Sequence, residues 1–162
     1  AHRWDLMSDG LPRQVVNVNF TSAHLQGTKH ADDAASAGEL VQPLTVLPDS
    51  LGECTKLERL ELSACDQLQC LPTTIGRCRS LTTLCARGCT SLTHLPESLG
   101  DCSKLQKIDV RDCTQLTTLP HSLRSCEQLK ELLTGGCIAL TPESRAFVEE
   151  IQRRNGNAAD DM

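Results

Sequence analysis

The 162-residue chain is sized for one domain, and its 39% hydrophobic content can bury a core without approaching that of a membrane protein. A net charge of -5 lacks the excess of clustered Lys and Arg that a phosphate-tracking surface needs, so nucleic acid is not an expected partner. No run of ~18 apolar residues exists, so no membrane span is expected either, and an aromatic content of 2% means that any core is aliphatic.

The N-terminal Ala1-His2-Arg3-Trp4-Asp5 lacks the apolar stretch of a signal peptide. A start at Ala1 without Met suggests a processed or trimmed chain, from which a signal or a further domain could have been lost. Trp4, Leu6 and Met7 are expected to cap the first edge of the structure. Val15-x-x-Val18-x-Phe20-x-x-Ala23 is an apolar spacing that recurs downstream. Residues 26–43 (QGTKHADDAASAGELVQP) have no periodicity and are rich in Ala, Asp, Ser and Gly. They read as a loop inserted in a degenerate first repeat, so that 1–43 forms an N-terminal cap and that repeat.

From Leu44 the chain falls into four 24-residue segments without insertion, covering 44–139. One column holds Leu44, Leu68, Leu92, Leu116 and then Leu140. Another holds Leu47, Leu71, Leu95 and Leu119, each followed by a proline: Pro48, Pro72, Pro96 and Pro120. Further columns are Leu51, Ile75, Leu99, Leu123; Leu57, Leu81, Leu105, Leu129; and Leu60, Leu84, Ile108, Leu132. Around residues 58–64 the apolar period is two, so Leu60 and Leu62 point inward while Arg59, Glu61 and Ser63 point outward, as in a strand. Around 47–54, Pro48 fixes φ at the start of a turn and Gly52 permits a tight exit, which predicts one helical or 3-10 turn.

Leu57-x-x-Leu60-x-Leu62-x-x-Cys65-x-x-Leu68 resembles the leucine-rich-repeat consensus, with the third apolar position relaxed to Ala86, Val110 and Thr134 in later copies. The resemblance implies an α/β solenoid: a right-handed superhelix with short parallel strands on its concave face, short helical or 3-10 turns on its convex face, and capped ends. The cadence C-x-x-L-x-x-L-P-x-S-L-G-x-C-x-x-L is similar to the cytoplasmic-type 24-residue repeats of plant-pathogen type III effectors and, second, to those of plant intracellular immune receptors. It implies a non-enzymatic, monomeric module that binds a protein on its concave face. For an effector, the partner is a host protein and the chain is secreted by the bacterium into the host cytoplasm. The alternatives are an immune-receptor repeat domain, or the substrate-recognition part of a ubiquitin ligase or other effector enzyme whose catalytic domain lies outside this chain.

Segment 140–156 predicts a C-terminal capping helix. Thr141 is its N-cap, Pro142 its first residue and Glu143 the acid favoured by the helix dipole, while Phe147 and Ile151 make an apolar stripe and Asn155-Gly156 stops it. Residues 157–162 read as a disordered tail.

Eight of the ten cysteines occupy two repeat columns, Cys54, Cys78, Cys102, Cys126 and Cys65, Cys89, Cys113, Cys137. Both are inward positions suited to a small, weakly donating side chain. Parallel, in-register directions disfavour disulfides, so reduced thiols in an intracellular, reducing compartment are expected. A secreted protein is the alternative, with Asn19-Phe20-Thr21 as a glycosylation sequon in its favour. Cys70 and His94 share a column, but two ligands do not close a metal site, and neither metal nor cofactor is expected. Cys85 reads as a solvated outward thiol that the repeat supplies with no activating group. No phosphate loop, enclosed acidic pair or triad is present, so no catalytic residue is assigned.

The candidate partner-binding residues are the outward strand positions Arg59, Glu61, Ser63, Thr83, Cys85, Arg87, Lys107, Asp109, Arg111, Glu131 and Leu133, with Gly135 closing the last set. Arg87 and Arg111 fall on neighbouring rungs. Either Asp109 and Asp112 neutralise Arg111, or the arginine pair receives an acidic segment of the partner with Leu133 beside it.

Overall fold

A computed structural model describes residues 17–19 and 44–156. The expectations for Trp4, Leu6, Met7, the sequon, the 26–43 loop and the 157–162 tail fall outside the described residues.

Among the described residues, five three-residue strands, β1 (Asn17–Asn19), β2 (Arg59–Glu61), β3 (Thr83–Cys85), β4 (Lys107–Asp109) and β5 (Glu131–Leu133), form one parallel sheet in chain order. The register follows the repeat: Val18 lies opposite Leu60, then come Leu84, Ile108 and Leu132 in turn. Each strand is short because the inward residue must reach the core of a narrow coil before the chain turns. Leu60, Leu62, Leu84 and Ile108 are fully buried.

Across the core from the strands, the described residues form four 3-10 turns, η1 (Asp49–Glu53), η2 (Thr73–Arg77), η3 (Glu97–Asp101) and η4 (His121–Ser125). The proline before each has φ between -65 and -71, and its carbonyl accepts the first turn bond, as from Leu51 N at 3.1 Å and Ile75 N at 3.1 Å. Pro thus supplies the preset dihedral and the acceptor where its missing N–H costs nothing. Parallel strands, 3-10 turns and a terminal helix make this the leucine-rich-repeat solenoid that the consensus implies.

Gly52 corrects the sequence reading. It sits buried inside η1, and a Cβ there would stand 2.5 Å from the carbonyl oxygen of Thr74. Gly76 meets Ser98 and Gly100 meets Ser122 in the same way. The column is glycine because adjacent coils approach too closely for a side chain, and the chain's exit from the turn is not what requires it. In the last coil, where no further coil follows, the column holds Arg124.

The thiol columns do structural work of a second kind. Cys78 donates to Leu51 O at 3.3 Å and Cys102 to Ile75 O at 3.4 Å. Cys89 donates to Leu62 O at 3.2 Å, Cys113 to Ala86 O at 3.1 Å and Cys137 to Val110 O at 2.9 Å. Each of these five thiols therefore faces a carbonyl of the preceding coil, and none of the ten cysteines forms a disulfide. Burial pushes the Cys78 thiol up to about 11 and those of Cys102 and Cys113 up to about 12, so they stay protonated donors at neutral pH.

Helix α1 (Pro142–Arg154) closes the open end. Thr141 Oγ1 caps it by accepting from Ser144 N at 3.3 Å, and Phe147, Val148 and Ile151 are buried. The helix also supplies donors that a next coil would have supplied. Asn155 Nδ2 donates to Leu129 O at 2.9 Å and Lys130 O at 3.0 Å, and Arg154 donates to Cys126 O and Leu129 O at 3.1 Å each. Three carbonyls of the last coil, those of Cys126, Leu129 and Lys130, are thus satisfied by side chains of the cap.

Candidate binding face

The outward positions form three rows across the sheet, because the strands are in register at one repeat per rung. One row runs Arg59, Thr83, Lys107, Glu131 and the next Glu61, Cys85, Asp109, Leu133. The third, just past the strands, runs Ser63, Arg87, Arg111, Gly135. Most inward columns repeat nearly the same aliphatic residue, whereas these rows change at every step but one, Arg87 to Arg111.

The face is laced by ion pairs. Arg59 NH2 stands 3.1 Å from Glu61 Oε2 and Lys107 Nζ 2.6 Å from Glu131 Oε2. Arg87 Nε stands 3.3 Å from Asp112 Oδ2. Arg111 grips Asp109 with both prongs, Nε to Oδ1 at 2.9 Å and NH2 to Oδ2 at 2.6 Å, and its backbone N–H adds a third bond at 3.2 Å. Carboxylates do intervene between Arg87 and Arg111, but each arginine has its own. Asp112 serves Arg87, not Arg111, because its left-handed backbone (φ 62) sets its side chain toward the preceding rung.

Asp109 departs from the expected outward exposure. At 4% it is the one buried charged residue among those described, set between Cys85 and Leu133 in the middle row and covered by Arg111. Hydrogen bonds from Arg111 outweigh burial and hold its carboxyl below the ordinary aspartate range, and Asp109 in turn raises Arg111. It therefore fixes Arg111 in place and offers no free carboxylate to a partner.

Cys85 is likewise not simply solvated. It is half-buried, 3.3 Å from Ser63 Oγ, which donates to Glu61 Oε1 at 2.6 Å. Carboxylates flank Cys85 on both neighbouring rungs. Burial and the bond to Glu61 push its thiol up, the reverse of what a nucleophile needs. For Glu61, burial opposes ionisation, but bonds from Cys85, Ser63 and Arg59 prevail and hold it low. Among the described residues, no three His, Cys, Asp or Glu side chains gather to hold a metal ion.

Beside these rows runs a column of left-handed backbone at Ala64, Gly88, Asp112 and Gly136. The sequence reading took Ser63, Ala64, Gly88, Gly135 and Gly136 as a low lane. The structure adds that Arg111's aliphatic stem lies against Gly135, 3.8 Å from where its Cβ would be. Asp112 is the functional neighbour the outward-position rule misses, since it lies in this column and not in a strand. Past the lane, Ile138 is 75% exposed.

Comparison with solved structures returns leucine-rich-repeat proteins. A Leptospira interrogans leucine-rich-repeat protein, LIC12759, shares 27% identity over 57% of this chain and 29% of its own, with a TM-score of 0.36. The leucine-rich-repeat domain of the type III effector XopL shares 22% over 63% of this chain and 54% of its own, with a TM-score of 0.39. A plant peptide hormone receptor, RGFR1, solved in complex with RGF2, shares 21% over 56% of this chain and 22% of its own, with a TM-score of 0.31. The matches span less than two thirds of each of these chains. No protein-family model and no curated protein matches the chain.

Proposed function

We propose that this leucine-rich-repeat solenoid is a non-enzymatic module that docks a partner protein on its concave face, and that it acts inside a host cell as the recognition domain of a bacterial effector. The observation that carries the binding reading is the contrast between the two sides of each strand. Most inward columns are nearly invariant because the core admits aliphatic side chains there, and even the column that varies, Leu62, Ala86 and Val110, stays apolar and fully buried. The outward rows are free of that constraint and present Arg, Glu, Thr, Cys, Lys, Leu and Gly in an order no rung repeats.

The ion pairs hold these side chains in fixed poses, which lowers the ordering cost of association. Since every strand-face cation already has a carboxylate, a partner meets a nearly neutral surface. Affinity then comes from shape and from apolar contact at Leu133 and Ile138 more than from net charge. The effector reading rests on the repeat cadence and on thiols poised as protonated donors, which suits a reducing compartment.

Affinity capture from plant-cell extract, followed by mass spectrometry, tests the reading. The wild-type chain should enrich a discrete host protein, and a variant carrying Arg87→Glu and Glu131→Lys should lose it while keeping its circular dichroism. Equal capture by both would move the site off this face.

A further inference from the structure

The flank of the solenoid at η2 and η3 has the opposite electrostatic character from the strand face. Arg59, Arg87, Lys107 and Arg111 all have carboxylate partners. Arg77, at the end of η2, and Arg79, two residues on, have none within 4.0 Å among the described residues. Neither has a side-chain hydrogen bond there. Both line an open cleft of about 370 Å³ together with Thr55, Thr73, Gly76, Ser98 and Asp101.

Ser98 supplies an independent sign. In its column, Thr74 Oγ1 donates to Asp49 O at 2.7 Å and Ser122 Oγ donates to Glu97 O, each hydroxyl tying its turn to the preceding one. Ser98 lies at the same register, yet its Oγ is buried without any hydrogen-bond partner, alone among the described side chains. A buried hydroxyl left unsatisfied is costly, and native structures leave few of them.

We propose that this cleft binds a tetrahedral oxyanion, inorganic phosphate or the phosphoryl group of a monoester. Two guanidiniums without a carboxylate partner among the described residues line it and supply planar, charge-assisted donors of the kind that pair with such an anion. Thr55 and Thr73 add hydroxyl donors, and Ser98 lines the cleft beside them. Asp101, the one carboxylate on the cleft wall, lies near Gly76 and holds the net charge of the lining at a single positive unit. Affinity is therefore modest, and an anion enters only where both arginines serve it. The site is separate from the concave face, so it stands or falls independently of partner docking.

The test is a titration of the full chain with inorganic phosphate, and in a second arm with O-phosphoserine, followed by NMR of backbone amides and arginine Nε–H groups. Saturable shifts at Gly76, Ser98, Arg77 and Arg79 in the millimolar range are expected. Arg77→Gln with Arg79→Gln should weaken binding at least tenfold, Ser98→Ala should weaken it several-fold, and Asp101→Asn should tighten it. Lys107→Gln on the opposite face should leave it unchanged. Saturation in either arm supports the site, and the tighter arm identifies the source of the anion. No saturable shift in both arms, or binding that survives replacement of both arginines, overturns the proposal.

Discussion

The guanidinium of Arg124 lies 4.8 Å from the centre of the Phe147 ring and within 3.4 Å of Glu150. Arg124 occupies the column that holds Gly52, Gly76 and Gly100 in the earlier coils, so one sequence position serves two opposite purposes. Between coils it must be empty; against the cap it reaches out to hold a helix. Gly76→Ala should therefore destabilise the chain by about 3 kcal/mol, because its Cβ would meet backbone at 2.5 Å. Arg124→Ala, a larger chemical change, should cost only ~1 kcal/mol, the scale of one cation-π contact and an exposed ion pair. Chemical denaturation of the two variants checks the order.

The cap itself is testable by truncation. Deleting 141–162 exposes the leucines of the last coil and strands the carbonyls of Leu129 and Lys130 that Asn155 serves. Stability in a solenoid is a sum of neighbour terms, so hydrogen exchange should rise first in β5 and then in β4. An unchanged melting temperature would show that the helix caps nothing.

Two arginines one rung apart should respond differently to removal. Arg111→Ala leaves the buried Asp109 carboxylate without its bidentate partner and should be the more destabilising of the two. Arg87→Ala breaks a pair exposed at both ends (55% and 55%) and should cost under ~1 kcal/mol. Asp109 is held below its unfolded value, so its contribution is fully present above the ordinary aspartate pKa and is lost as pH falls through the depressed folded value. Denaturation curves between pH 7 and 2 should show that loss in the wild type and little of it in Asp109→Asn.

Backbone sign gives a stabilising prediction. Ala64 has φ 62 in the column where Gly88 and Gly136 stand, and relief of that conformation by Ala64→Gly should add ~1 kcal/mol. Gly136→Ala should destabilise more than Gly88→Ala. Both have positive φ, but a Cβ at 136 would also press on the Asp112 side chain and backbone, whereas one at 88 has contacts no nearer than 3.8 Å. Melting temperatures of the three variants decide this.

Thiol chemistry should follow burial. Native alkylation should label Cys70 and Cys85, which are half-exposed, and spare the eight column cysteines until denaturant is added. Native bridges within a column, found by mass spectrometry, would overturn both the donor role of these thiols and the reducing-compartment proposal.

How much of this was legible in the sequence depends on the kind of contact. Columns of Leu60, Leu84 and Leu132 announced strands in register because an inward position repeats whenever the core does. The Thr141-Pro142 cap and the Phe147–Ile151 stripe were equally readable, being local. Gly52 was misjudged because a glycine that lets two coils approach and one that turns the chain look alike in one dimension. The only hint was Arg124 breaking the column where the coils end. The exchange of partners between Asp109 and Asp112 was hidden because it depends on the left-handed φ of Asp112. Ser98, and Arg77 and Arg79, which have no carboxylate partner among the described residues, were illegible for a related reason. Their distinction is the absence of a partner, and absence of contact leaves no pattern in sequence.

The central claim, that the varied outward rows form the docking face, is tested most directly by covalent footprinting of arginine, lysine and carboxylate side chains in the free chain and in complex with its captured partner. Protection of Arg59, Arg87, Lys107 and Glu131 on complex formation, with Arg153 and Glu149 on the exposed side of α1 still reactive, is the predicted result. Unchanged reactivity of the four strand-face residues, with protection on the helix or the 3-10 turns, would contradict it.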